Sequence, residues 1–558
     1  MVTRVINLFY REVRGLHQAA YVLALFALAS QILAIVRDRL LANQFGAGLE
    51  LDIYYAAFRI PDLLFVLFAS VLSVYVLLPF VARARTVSET QAALVLAQVY
   101  SVFLVGYTVI AAVIFVIAPY IMVWLYPGFS ETSLDTVITL TRILLLQPLF
   151  LGLSSLLGVV TQLQHRFVIY ALSPLLYNLG IIFGATVLFS YFGLPGIALG
   201  VIIGALFHLL IQWPLVRGSS LSFSFTSTID VRLLREIAAV ALPRSLTLSL
   251  GQIQILFLVS LASTMTIGSV SILQFAFNLQ SVPLAIIGMS YSVAAFPTLT
   301  ELLAQKKIAE FNTYVMTALR HIIFWSVPIV ALVIVLRAQI VRVLLGSGSF
   351  DWADTRLTAA ALGLFVISLT AQALALLIVR AFYAGGYTRL PLLLTAIGTL
   401  IGSVCAYGLY RYLQVSPESA YMFAQWLRLE GVTGVEVLML PLGYTLGVLV
   451  QVFLMLTLLA RTFGFKLREL YEHLLQSLIA STVGGFVSYA TLMFVVEGVN
   501  QDRFIGILMQ GVAAGLMGVM AVITTYRLLG SPELHEIYVA FRSRIFKTDV
   551  ITPQPEIL

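Results

Sequence analysis

Apolar stretches about the length of a membrane crossing recur along nearly all of the 558-residue chain. They fall near residues 17–36, 53–80, 92–118, 136–162, 167–191, 194–216, 236–262, 268–299, 317–336, 357–381, 390–410, 432–460, 474–496 and 504–526. A hydrocarbon core of about 30 Å needs about 20 apolar residues per helix. The pattern therefore predicts fourteen transmembrane helices and leaves room for no large soluble domain. The alternating apolar and polar positions of membrane strands do not occur, which excludes a β-barrel.

Composition agrees: 61% of residues are hydrophobic and only 10% are charged, against about a quarter charged in soluble domains. The charges that remain give the orientation. Of 32 Lys and Arg residues, 21 fall on one side of the expected helices, 8 on the other, and Arg59, Arg142 and Arg244 within them. The positive-inside rule then places both termini in the cytoplasm. Topology accounts for the net charge of +7, so a nucleic-acid partner need not be invoked. The N-terminal Arg4, Arg11 and Arg14 precede a long apolar run without a small-residue cleavage site. They read as a short lead to an uncleaved first helix. Cys405 stands alone inside an apolar run, so it makes no internal disulfide and no cysteine metal cluster.

The two halves resemble each other at a shift of about 219 residues. The segment starting at Ala118 aligns with that starting at Ala338, Asp135-Thr136 with Asp354-Thr355, and Ala57-Phe58-Arg59 with Ala276-Phe277-Asn278. Six helices, an even number, separate the copies, so this is a parallel repeat. Such repeats place a transporter's substrate path between two lobes near the midplane. The expected organisation is a cytoplasmic amphipathic lead (1–16), a first lobe (17–216), a cytoplasmic linker (217–235), a second lobe (236–461), two appended helices (462–529) and a cytoplasmic tail (530–558).

Charges at bilayer depth are costly and normally face a cavity or one another. They concentrate in the first two helices: Gln31, Arg37, Asp38, Asp52, Arg59 and Asp62. Asp52 and Arg59 lie two turns apart on one face. Pro61 removes a backbone donor and predicts a break in the second helix, tolerated only against protein or a water-filled cavity. Arg37-Asp38-Arg39 is expected to end the first helix. Arg37 and Arg59 are candidates for drawing an anionic head group into a cavity, because guanidinium offers phosphate paired hydrogen bonds. The plainer alternatives are interfacial anchoring for Arg37 and Asp38, and pairing of Arg59 with Asp52 or Asp62. Arg142 reads as a snorkelling side chain. Arg244, after Pro243, faces either the cavity or lipid phosphates. His208 reads as a packing histidine, and Asn178 and Gln147 as hydrogen-bonding glue between helices.

The chain carries no Walker A loop, no HExxH and no GxSxG. Expected outer loops are short, the longest about 20 residues near 411–431. A transporter is therefore expected rather than an enzyme, with no cofactor, driven by an ion gradient, the membrane potential or the substrate's own gradient.

Several segments in the right order carry a family resemblance from about residue 20 to 530. The most specific is Arg380-Ala-Phe-Tyr-Ala-Gly-Gly-Tyr-Thr-Arg-Leu-Pro391. Others are Val36-Arg-Asp-Arg-Leu-Leu-Ala-Asn-Gln-Phe-Gly-Ala-Gly48, Ala57-Phe-Arg-Ile-Pro61, Ser173-Pro-Leu-Leu-Tyr-Asn-Leu179 and Gly348-Ser-Phe-Asp-Trp-Ala-Asp-Thr355. The chain resembles the MurJ (MviN) lipid II flippases of the multidrug/oligosaccharidyl-lipid/polysaccharide exporter superfamily. The resemblance implies fourteen helices in two lobes around a cationic cavity in the bacterial inner membrane. It implies alternating access that carries an undecaprenyl-pyrophosphate-linked glycan outward, with membrane lipids around it and helices 13 and 14 cradling the lipid tail. By motif, Arg37, Asp38 and Asp52 fall where the family keeps functional charges, and Arg59 on a position usually basic. Gln31 and Asn278 stand where the family usually has arginine, and Phe65 and Val66 where it has one after the second-helix proline. Three cavity cations are thus missing, with Arg244 a candidate replacement. The rivals are an exporter of another polyprenol-linked glycan, a cation-coupled drug exporter, and a membrane glycosyltransferase using Asp38 and Asp52 in an outer loop.

Overall fold

In the computed structural model, residues 16–496 and 504–545 are described, and they are helical without strands. The expected N-terminal lead and the end of the tail lie outside these residues.

The helices run in order α1 (Leu16–Phe45), α2 (Leu49–Val71), α3 (Val74–Arg85), α4 (Glu89–Leu125), α5 (Glu131–Leu144), α6 (Leu146–Leu163) and α7 (Phe167–Phe183). A π-helical turn, Gly184–Leu188, carries α7 on to Phe192. There follow α8 (Leu194–Leu210), α9 (Trp213–Arg217), α10 (Val231–Ala262) and α11 (Ser269–Leu284), which passes through a second π-helical turn, Ala285–Met289, into α12 (Ser290–Ala304). The rest are α13 (Ile308–Leu344), α14 (Trp352–Val366), α15 (Leu369–Ala384), α16 (Arg389–Val415), α17 (Pro417–Trp426), α18 (Met439–Phe463), α19 (Arg468–Val496), α20 (Phe504–Leu528) and α21 (Pro532–Ile545).

Among the described residues eleven helices are long and apolar enough to cross a membrane, or twelve when α14 and α15, bent by 43°, count as one span. The count of fourteen is not reached on that measure. The first two expected segments are present as helices α1 and α2, of 30 and 23 residues.

The repeat is visible in the elements. Helices α4 and α13 each have 37 residues, and their first residues stand 219 apart. Glycines recur as well. A Cβ on Gly200 of α8 would lie 2.4 Å from Gly184 Cα, and one on Gly180 of α7 would lie 2.3 Å from Gly204 Cα. The corresponding helices of the second half meet in the same way, since a Cβ on Gly447 of α18 would lie 2.6 Å from Gly402 Cα of α16. Lipid provides no hydrophobic drive for helices to associate, so close backbone approach at small residues supplies the contact.

Two compact units form. The first holds the chain through Asn278 with Leu344–Ala361 and Thr388–Gly447. The second holds Leu279–Val343, Leu362–Tyr387 and the chain from Val448 on. In the first, Leu77, Leu96, Tyr107 and Leu156 centre a core of α3, α4 and α6. In the second, Phe324 stacks on Tyr526, whose hydroxyl donates to the Phe324 carbonyl.

Pro61 does not break α2, which runs through it. The proline leaves the Ala57 carbonyl without its helical donor, and the Thr141 hydroxyl of α5 donates to that oxygen at 3.2 Å. That one orphaned acceptor is thereby satisfied from a neighbouring helix. The break comes instead at Ser73, whose extended backbone separates α2 from α3. Nor does Arg37-Asp38-Arg39 end α1, which continues to Phe45.

Candidate functional site

The charges of α1 and α2 are brought together by α7 and α11 in one hydrogen-bonded chain within the first unit. Arg59, buried, donates from Nε to the Tyr55 carbonyl and from Nη2 to Gln274 Oε1, both at 3.0 Å. Gln274 Nε2 donates to Asn278 Oδ1 at 2.6 Å, and Asn278 Nδ2 donates to Asp38 Oδ2 at 2.9 Å. Asp38 Oδ1 accepts from Arg37 Nε at 2.9 Å and Nη2 at 2.7 Å. Arg37 Nη1 reaches Asn178 Oδ1 at 3.0 Å, and Asn178 is held through its amide nitrogen by the Pro174 carbonyl at 3.2 Å.

This chain walls a cavity of about 160 Å³, lined also by Tyr54, Tyr55, Asp62 and Tyr177. The side chains come from both halves of the sequence repeat: α1, α2 and α7 from the first, α11 from the second. Two guanidinium groups face two carboxylates, so the cavity is close to charge-balanced. The Tyr55 hydroxyl is buried with no protein partner, which costs about 1–3 kcal/mol until a ligand atom or water supplies one. Asp62 takes a hydrogen bond from Gln147 and lies in the field of Arg59 and Arg37.

The expected site residues divide. Arg37, Arg59 and Asn278 line the cavity, with Asp38 tying two of them together. Asp52 does not face it. Its Oδ2 accepts from the Gly268 amide at 2.7 Å, and its Oδ1 accepts from the Ser271 amide at 2.8 Å and hydroxyl at 2.6 Å. Asp52 thus caps the N-terminus of α11, where free amides and the helix dipole favour a carboxylate. Gln31, half-buried, and Arg244, half-buried near the middle of α10, also lie away from the cavity lining. Asp38 and Asp52 are in helices rather than in an outer loop, and each is engaged by different partners, which removes the acidic pair a glycosyltransferase would use.

Arg59 pairs with neither Asp52 nor Asp62 by direct hydrogen bond; its partners are Tyr55 and Gln274. Arg142 is half-buried, with its guanidinium carbon 4.7 Å from the Phe115 ring centroid, and its Nε donates to the Phe115 carbonyl. His208 Nδ1 pairs with the Ser154 hydroxyl at 2.7 Å, a packing role. Sequence reasoning missed Gln274, Tyr54, Tyr55 and Tyr177. The available signal for Gln274 was spacing, since Ser271, Gln274 and Asn278 recur at three- and four-residue intervals along one face of α11.

The motif segments explain one another. The Ser349 amide donates to the Asn43 carbonyl at 2.9 Å, and the Ala47 amide to Asp354 Oδ2 at 3.0 Å. The Val36–Gly48 segment, which carries Arg37 and Asp38, is therefore clasped by the Gly348–Thr355 segment. A Cβ on Gly348 would lie 2.3 Å from the Asn43 carbonyl oxygen.

Comparison with known proteins places this chain in a family. The sequence profile described as "Lipid II flippase MurJ" matches residues 41–429. The chain is 26% identical over 395 residues to "Probable lipid II flippase MurJ" of Rickettsia prowazekii (strain Madrid E), covering 70% of this chain and 77% of that one. It is 24% identical over 397 residues to "Lipid II flippase MurJ" of Burkholderia cenocepacia, covering 69% and 77%. Among solved structures it is similar to "Lipid II flippase MurJ, inward closed conformation", with TM-score 0.71, 21% identity, and coverage of 91% of this chain and 99% of that one. An inward-facing multidrug resistance MATE family transporter of the MOP superfamily follows at TM-score 0.63 and 16% identity, covering 78% and 94%.

Proposed function

The chain belongs to the lipid II flippase MurJ family, and from that premise we propose that it carries lipid II from the cytoplasmic to the outer leaflet of the bacterial inner membrane by alternating access. It is a multi-pass transporter rather than an enzyme. Its termini lie in the cytoplasm, as the distribution of Lys and Arg requires.

The observation that carries this reading is the part-buried chain from Arg59 through Gln274, Asn278 and Asp38 to Arg37 around a polar cavity. A pyrophosphate entering the cavity meets two guanidinium groups, which bind phosphate in paired fashion. It also meets the unpartnered Tyr55 hydroxyl. The neutral amides of Gln274, Asn278 and Asn178 hold the guanidinium groups in place without adding negative charge. Asp38 lowers the net attraction, so that release on the far side stays feasible. The drive comes from an ion gradient, the membrane potential or the substrate's own gradient.

The test is flipping of lipid II in proteoliposomes. Arg59→Ala is expected to lower the initial rate at least tenfold, since a charge-assisted contact contributes about 1.5–3 kcal/mol. Its monodispersity and melting temperature should remain close to those of the parent. Parental flipping by a folded Arg59→Ala protein would remove Arg59 from the substrate path. A second reading, transport of another polyprenol-linked glycan, is favoured by Gln31 and Asn278 at family arginine positions. In the same vesicles it requires the other glycan to flip faster than lipid II.

A further inference from the structure

A second polar cavity, separate from the one above, lies in the first unit where four helix ends emerge. It measures about 820 Å³ and is lined by Arg85 at the end of α3, Gln164, His165 and Arg166 after α6, and Ser219 and Ser220 after α9. That volume falls within the range of small-molecule sites, about 300–1,000 Å³.

Three described non-glycine residues, His165, Lys306 and Arg428, take a left-handed backbone, and of them His165 lines this cavity. Its φ is +55°, the left-handed region that costs a side-chain-bearing residue roughly 1–2 kcal/mol. The turn it occupies recurs in the second half of the repeat. After α6, the His165 amide donates to the Gln162 carbonyl and the Arg166 amide to the Thr161 carbonyl. After α15, the Gly386 amide donates to the Tyr383 carbonyl and the Tyr387 amide to the Phe382 carbonyl. The two helix ends share one capping pattern, but the second uses glycine, at φ +79°, and the first uses histidine. Strain retained beside a basic cavity points to use of the side chain. Arg85 is steadied at its rim by Glu89, which accepts from Arg85 Nε at 2.7 Å and from the Ser220 hydroxyl at 3.1 Å.

We propose that this cavity binds a phosphate group, with Arg85, His165 and Arg166 as its donors. The site goes beyond the transport path, and its binding can be tested without flipping. On the orientation given by the positive-inside rule, it opens at the cytoplasmic surface. The phosphate there is either the head group of an anionic phospholipid or a soluble phosphate compound.

The experiment uses the full-length protein purified in detergent, with Arg85→Gln/Arg166→Gln and His165→Gly beside the parent. Native mass spectrometry measures retained phosphatidylglycerol against phosphatidylcholine, and thermal unfolding measures the response to inorganic phosphate. If the source is a lipid, the parent retains phosphatidylglycerol in preference. The double variant then loses affinity about tenfold, and inorganic phosphate leaves the melting temperature unmoved. If the source is soluble, phosphate raises the parental melting temperature, the double variant does not respond, and the lipids bind equally. His165→Gly should weaken whichever ligand binds while melting no lower than the parent, because glycine is at ease at this φ. Should parent and variants show the same lipid retention and the same phosphate response, the site does not exist.

Discussion

Asp52 and Arg59 sit two turns apart on α2, yet their tasks differ. Asp52 spends both oxygens on the N-terminus of α11, through Gly268 and Ser271, and so sets where Gln274 and Asn278 stand. Arg59 receives the result of that placement in its bond to Gln274. Asp52→Asn keeps the size of the side chain but removes its charge and one acceptor. It is expected to destabilise the fold by about 1–3 kcal/mol, read as a lower melting temperature in detergent. Flipping per folded molecule should fall less than in Arg59→Ala. If Asp52→Asn melted like the parent but lost transport, Asp52 would belong to the substrate path rather than to the helix cap.

The existence of most helices was legible because a span needs a fixed length of apolar residues, which hydropathy records directly. The termini were less legible, because they depend on partners distant in sequence. Thr141 rescues the carbonyl that Pro61 orphans, and nothing local to Pro61 announces it. Arg37 and Asp38 were recognisable as members of a polar cluster from their cost at bilayer depth, whereas Gln274, neutral in an apolar helix, was not. The glycine faces of α7 and α8 make a prediction of their own. Gly200→Leu would drive a branched side chain into the backbone of Gly184 and Gly180, where even a Cβ meets Gly184 Cα at 2.4 Å. Overpacking of this kind costs about 1–3 kcal/mol or more. The expected result is a lower yield of monodisperse protein, whereas Gly106→Leu, at a position with no neighbour within 4 Å, should be tolerated. Equal yields would show that α7 and α8 do not depend on close approach. The tail helix α21 offers a pH test. Burial alone would push the Glu533 carboxyl up, but the Ser531 hydroxyl and Arg320 guanidinium bonds outweigh it and hold the carboxyl below its usual range. A depressed carboxyl contributes stability above its unfolded value of about 4.3, and this is lost as pH falls through the lower folded value. Relative to the intrinsic exchange rate at each pH, amide exchange in α21 should therefore be slow at neutral pH and faster below about pH 4. In Glu533→Gln it should be faster than in the parent at neutral pH.

For the whole molecule, the size of the internal cavity sets the argument. At about 160 Å³, and partly open to its surroundings, it is far smaller than a disaccharide with its peptide and pyrophosphate. Transport of such a head group requires a state in which the wall opens. In the first unit α11 meets α1 and α2 through polar side chains at Asp38–Asn278 and Arg59–Gln274, and hydrogen bonds of this kind contribute about 0.5–3 kcal/mol each. They are strong enough to hold a closed state and weak enough to be exchanged for bonds to a substrate. If the Asn278–Asp38 bond latches the wall, its loss should shift the population towards open forms. A cysteine placed at Tyr177, in a protein whose Cys405 is replaced by serine, reports on that shift through its alkylation rate. Adding Asn278→Ala to this protein is expected to raise the rate about five- to tenfold, the population change that corresponds to about 1–1.4 kcal/mol. Saturating lipid II should slow alkylation again as the head group fills the cavity. An unchanged rate on removing Asn278 would mean that the wall is held by packing, and that the polar chain serves the substrate alone.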